Sequence, residues 1–133
     1  MPSDAMYQIG EVAEVTGLSL RTIRHYEEVD LVPPSGRTAG GFRLYTDADI
    51  DRLQVVKQLK PLKFTLDETR EIVDALDTVR DPAQGDPTAA RNVLGDFAAS
   101  ATQRCDKLRG QLRSAQALTE MLHRVADGDQ PDP

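Results

Sequence analysis

Apolar and polar positions divide the chain into four short helices interrupted by one hairpin, followed by one long helix. Ile9, Val12 and Ala13 recur at helical spacing and precede Gly17, the residue type that most readily takes the left-handed turn after a helix. A second helix starts at once. Ser19 is placed to cap it by accepting from backbone N–H groups two or three residues on, and Ile23 faces inward from it. Two short helices joined through Gly17, Leu18 and Ser19 predict a helix-turn-helix, whose second helix can enter a DNA major groove. That helix stops near Asp30, because Leu31-Val32-Pro33-Pro34 cannot continue it: proline lacks the N–H and constrains its predecessor. In SGRTAGGFRLY, residues 35–45, Gly40-Gly41 separates two candidate strands, and Phe42 and Leu44 alternate with Arg43 and Tyr45. The pattern predicts a β-hairpin wing.

Thr46 caps a third predicted helix from Asp47 to about Lys60, with Ile50, Leu53, Val56 and Leu59 as its apolar stripe and Pro61 ending it. Thr65 and Glu68 have the spacing of a capping box for a fourth helix, in which Leu66, Thr69, Ile72, Val73 and Leu76 share a face. After the loop DPAQGDPT, Asp86-Pro87 supplies an N-cap and a proline at the first helical position. No proline occurs between Ala89 and Ala126, where Leu94, Ala101, Leu108, Ala115 and Leu122 repeat every seven residues. Phe97, Ala98, Cys105, Leu112, Leu118 and Val125 widen this seam, while Arg104 and Gln111 interrupt one edge. A helix of that length should project from a body of this size, and its apolar stripe needs a cover; the simplest is the same helix from a second chain, which predicts a homodimer. The expected organisation is a winged helix-turn-helix domain over 1–80, a linker over 81–87, a dimerisation helix over 88–126 and a disordered tail over 127–133.

Composition narrows the function. The chain has 133 residues, 39% hydrophobic and 29% charged; it is expected to be neither disordered nor membranous, and its start has no basic segment leading into an apolar one, so we expect a cytoplasmic protein. One cysteine, Cys105, excludes an internal disulfide and a cysteine-rich zinc site. His25 and His123 lie in different elements, so no metal and no cofactor are expected. There is no glycine-rich phosphate loop, no nucleophile elbow and no base–nucleophile constellation, which argues against an enzyme. The net charge of −6 disfavours a generic polyanion binder, yet Arg21 to Lys63 holds eight Lys/Arg against six acids, whereas Leu66 onward holds eight against thirteen. Any nucleic-acid surface belongs to the first half. Within it, the wing carries two arginines and no acid, a concentrated positive site.

The run YQIGEVAEVTGLSLRTIRHYEEVDLVPPSGRTAGGFRLYTDADIDRLQ, continued by KPLKFTLDETREIV, resembles the MerR family of bacterial transcription regulators, and the likeness extends from Tyr7 to about Ala126. His25-Tyr26 and YTDADIDRLQ are most similar to the drug-responsive branch that includes thiostrepton-induced regulators. The resemblance implies a mainly α fold: a winged helix-turn-helix followed by a long helix that forms an antiparallel coiled coil across a dimer. It also implies an operator within an over-long promoter spacer, distorted so that RNA polymerase can engage. Asp30 stands where the family commonly has glycine, but aspartate tolerates a left-handed turn. Pro61 and Lys63 replace residues of the usual turn before Phe64, so Lys63 is either strained or in a locally different turn. Drug-responsive members continue into a separate effector-binding domain, which the resemblance leaves missing here, and no residue pattern identifies a small-molecule effector.

With Ile23 inward, Arg21, Thr22 and His25 fall on the opposite face of the second helix, available to base edges or phosphates, with Arg21 the foremost base reader. The resemblance places Arg24 and Tyr26 nearer the hairpin, serving phosphate contact and packing, and assigns Arg37 and Arg43 to the DNA backbone. Tyr45 could equally touch phosphate or pack beneath the hairpin. Lys60 and Lys63 could meet flanking phosphates together with helix N-terminal amides. Glu27-Glu28 is read as solvating the end of the helix and helping to repel wrong sequences. The expected dimer interface is Leu94, Phe97, Ala101, Cys105, Leu108, Leu112, Ala115, Leu118 and Leu122, with Cys105 acting as a small hydrophobe and not as a sensor. The expected function is that of a sequence-specific regulator, dimeric on a palindromic promoter operator; the alternative is an effectorless repressor or architectural DNA-binding protein.

Overall fold

The computed structural model describes residues 5–130. Strand β1 is Tyr7–Gln8, and helix α1 follows over Ile9–Thr16. The Glu11 carboxylate accepts from the Gln8 N–H and so closes the first turn of α1. Gly17 ends α1 at φ +73, its N–H donating to the Ala13 carbonyl at 2.9 Å. The carbonyl of Thr16 is left over by the helix, and the Lys57 ammonium donates to it at 2.6 Å, a cation placed where the helix dipole is negative. Helix α2 spans Leu20–Glu28 and is capped as its sequence predicts: the Ser19 hydroxyl accepts from Thr22 N–H at 3.1 Å.

The wing has one more strand than the hairpin expected. Strand β2, Gly36–Arg37, and strand β1 both pair antiparallel with β3, Arg43–Tyr45, giving the order β1-β3-β2. The register sets Tyr7 opposite Tyr45 and Arg37 opposite Arg43. A two-residue β1 carries too short a pattern to announce itself; it exists because β3 has a second edge to satisfy. Gly41 turns the hairpin at φ +87. Helix α3 covers Asp47–Leu59 behind a capping box made by Thr46 and Asp49, and Pro61 falls in a 3-10 turn over Lys60–Leu62. Helix α4, Leu66–Arg80, begins with the predicted box of Thr65 and Glu68. Of its expected apolar face Thr69, Ile72 and Val73 are buried, joined by Ala75, but Leu66 is exposed.

The core of this N-terminal part joins every element that positions α2. Val12, Ile23, Leu31, Val32, Tyr45, Ile50, Leu53, Val56 and Val73 form one buried cluster. Two arginines secure the loop after α2. Arg52 donates from Nε to the Leu31 carbonyl at 2.8 Å while its terminal nitrogens pair with Asp74 and Asp77, and Arg70 donates to the Val29 carbonyl. That loop reverses at Asp30, φ +56, and the turn into α4 reverses at Lys63, φ +60. Asp30 is accommodated as expected for aspartate; Lys63 is in a conformation that costs an ordinary L-residue about 1–2 kcal/mol.

The chain divides after Val93 into two compact units. Helix α5 runs over Pro87–Ala126, 40 residues, about 60 Å at 1.5 Å per residue. It starts where Asp86-Pro87 predicts, the Asp86 carboxylate accepting from Thr88 N–H at 2.9 Å. Leu94, Phe97, Ala101, Cys105 and Leu108 are half-buried along it, whereas Leu112, Ala115, Leu118 and Leu122 are exposed. Residues 127–130 follow, exposed, and the rest of the expected tail lies outside the described residues. No helix among the described residues is long and apolar enough to cross a membrane.

Lys63→Gly and Lys63→Ala remove the same charge but differ in backbone freedom. The glycine variant should be more stable than the alanine variant by about 0.5–1 kcal/mol, the left-handed strain less glycine's larger entropy loss on folding. Urea unfolding of both checks this; equal midpoints would show that the turn relaxes.

Candidate nucleic-acid interface

Helix α2 is nine residues long and offers one buried residue, Ile23, to the core. Much of its remaining surface is exposed. Arg21, Arg24 and His25 are exposed, Thr22 is half-buried, and neither Arg21 nor Arg24 has an ion-pair partner among the described residues. These four line a groove of about 700 Å³ whose other wall is the end of α3 and the start of α4, with Lys60, Phe64, Leu66 and Thr69. The exposed Leu66 is thus part of a groove and not of the core. Arg24 lines this groove together with Lys60. Tyr26 packs against the core cluster, and its burial raises the phenol pKa. The backbone carbonyl of Tyr26 accepts from both Leu31 and Val32 N–H, which folds the loop back under α2.

On the hairpin side the helix presents Glu27. One carboxylate oxygen accepts from Arg37 Nη2 at 2.7 Å and the other from Arg43 Nε, and this contact holds the Arg43 guanidinium pKa above its ordinary value. The wing is accordingly not the uncompensated positive site its own sequence suggests, because α2 supplies its acid. Glu27 does more than solvate the end of the helix, since its carboxylate pairs with both wing arginines. An acid-free hairpin with two arginines beside a helix carrying two glutamates was the signal, but pairing them needs the three-dimensional placement of the wing.

Tyr45 requires a correction. It is fully buried, and its hydroxyl has no hydrogen-bond partner, so it packs beneath the hairpin and cannot touch a phosphate. The end of β3 turns inward here, while Phe42 at the tip is 65% exposed. Burial, reinforced by the nearby Glu27 charge, raises the Tyr45 pKa. Lys60 and Lys63 stand at the entrance to α4, but the capping box already occupies the amides of Thr65 and Glu68, and Asp67 and Glu68 sit in the first turn. The acidic first turn opposes anion attraction by the helix terminus, while the two lysine side chains favour it. Cys105 is half-buried in α5, and no group of three or more potential ligands among the described residues is arranged to hold a metal ion.

A helix-turn-helix packed on a three-stranded wing, with free cations on the outer face of its second helix, defines a winged helix-turn-helix DNA-binding domain. The chain belongs to the MerR HTH family of regulatory proteins, whose pattern matches residues 7–76. It is similar to the HTH-type transcriptional activator mta of Bacillus subtilis (strain 168), 47% identical over 68 residues, 51% of this chain and 26% of that protein. The HTH-type transcriptional regulator ZntR of Escherichia coli (strain K12) is 32% identical over 116 residues, 86% of this chain and 79% of the regulator. The chain thus spans about a quarter of the length of mta but most of ZntR. The fold is shared with HiNmlR, a MerR family regulator lacking the sensor domain and solved bound to promoter DNA, at a TM-score of 0.72 and 24% identity, covering 92% of this chain and 87% of that one.

Tyr45→Phe deletes a buried hydroxyl that gains nothing in the fold, so the variant should be as stable as the parent or up to about 1 kcal/mol more stable. A tyrosine whose folded pKa is raised contributes stability that is full below its unfolded value of 10.0 and is lost as pH rises through the folded pKa. Phe should therefore keep more of its stability above pH 10, as thermal melts across pH 8–11 would show; a destabilised variant would mean the hydroxyl has a partner.

Proposed function

We propose that the protein is a homodimeric, sequence-specific DNA-binding transcription regulator. The observation that carries this reading is the exposed face of α2, where Arg21 and Arg24 have no ion-pair partner among the described residues and share a groove with His25, Glu28 and Lys60, in a chain whose net charge is −6. Within the first unit, basic side chains gather on the exposed face of α2 and at the turn before α4. Arg21 and Thr22 are placed to meet base edges, and Arg24, Lys60, Lys63 and the wing arginines to meet phosphates. The exposed Leu112, Leu118 and Leu122 of α5, with Ala115, support pairing with the same helix of a second chain. Two domains held at a fixed spacing read a palindrome and favour DNA bent or twisted to match, so we infer action by promoter distortion with RNA polymerase.

Binding-site selection from random duplexes tests the function directly. A gapped palindrome bound by a dimer is expected; weak, salt-sensitive binding with no enriched sequence would favour the architectural alternative. Abortive-transcription assays on the selected operator should show activation, and repression alone would overturn promoter distortion.

Arg43→Ala should weaken binding to all duplexes and reduce the salt slope by about 0.9, one phosphate contact. Arg21→Ala should in addition relax base preference, at a cost of about 1–3 kcal/mol on the selected site. Equal losses on every sequence for both variants would contradict the division of roles.

A further inference from the structure

The wing and the recognition helix share one carboxylate. We propose that Glu27 is a specificity-determining residue: an internal competitor that occupies Arg37 and Arg43 and must be displaced by DNA phosphate wherever the recognition helix is not correctly seated. The inference rests on the DNA-binding reading above and adds to it a residue that opposes binding.

The two arginines are held differently. Arg37 gives one terminal nitrogen to Glu27 at 2.7 Å and the other to the Gly41 carbonyl at 3.0 Å, so each terminal nitrogen already has one bond. Arg43 reaches Glu27 through Nε. That contact fixes the guanidinium plane without drawing on its terminal nitrogens, the edge that pairs best with phosphate. Glu27 is 20% exposed, Arg43 29% and Arg37 46%. Ion pairs this open to water are weak and exchange readily with other anions. A purely structural staple is not what the wing lacks, since the sheet ladder and the buried Tyr45 already hold the hairpin to the core. Two cations on one anion also leave a net positive charge, enough to attract DNA and too little to hold it unaided.

DNA of arbitrary sequence is bound almost entirely through phosphates. There, phosphate competes with Glu27 for Arg37, and the carboxylate repels the incoming backbone. At the operator, α2 lies in the groove and carries Glu27 with it, so Arg43 arrives already oriented and the orientation offsets the competition. The penalty therefore falls more heavily on wrong sites than on the right one.

The test uses the full chain with Glu27→Gln, which keeps an acceptor and loses the charge, and Glu27→Asp, which keeps the charge on a shorter arm. Glu27→Gln should elute from a heparin column at higher salt than wild type. It should bind a scrambled duplex about 3- to 10-fold tighter with a salt slope steeper by about 0.9. Affinity for the selected operator should change less than about 2-fold, so discrimination falls by the same 3- to 10-fold; Glu27→Asp should restore at least half of it. The Arg43 Nε–H resonance of the free protein should shift in Glu27→Gln. Equal weakening on operator and scrambled duplex, or unchanged heparin elution with an operator in hand, would overturn the competitor role. Later elution of Glu27→Gln together with a wild type that selects no operator would instead overturn the DNA-binding reading while leaving the competition for polyanions intact.

Discussion

A helix of nine residues is not stable in water by itself, because the cost of nucleating it is recovered only over a longer run of hydrogen bonds. Helix α2 therefore exists on borrowed stability, and nearly all of the first unit is arranged to supply it. Ile23 is its only fully buried side chain. Ser19 satisfies the amide end, the Tyr26 carbonyl receives two N–H groups from the loop that doubles back, and Arg52 and Arg70 hold that loop from α3 and α4. Because most of that support acts at its ends and along the side of Ile23 and Tyr26, the face of Arg21, Arg24 and His25 stays exposed.

The local devices of this fold were legible in the sequence. Gly17, the Thr46 and Thr65 caps, the Pro61 stop and the Asp86-Pro87 start each act through backbone groups within four residues, so identity and spacing suffice to read them. What depended on distant partners was not legible. Strand β1 is defined by its pairing with β3, Tyr45 was undecided until the register placed it inside, and the hairpin's charge was balanced by a residue ten positions before Arg37. The face of α4 was read correctly at Thr69, Ile72 and Val73 and wrongly at Leu66, which lies where that helix borders the groove.

Charge is sorted with the same economy. Lys57 and Arg52 are committed to the fold, one at the carbonyl end of α1 and one across α3, α4 and the loop. Arg37 and Arg43 are shared between fold and surface through Glu27. Arg21, Arg24 and Lys60 line the groove. Counting basic residues overstates the cationic surface, and only their partners show which of them remain to be used.

The two left-handed residues, Asp30 and Lys63, stand in the connections at either side of the groove, one leaving α2 and one entering α4. Each turns the chain within a single residue, so neither connection holds slack that would let its helix slide or tilt. A face built this way behaves as a stiff template. When its curvature and that of a bound duplex disagree, the compliance resides in the duplex, and the cost of meeting the protein is then set by the bendability of base steps that the protein does not touch.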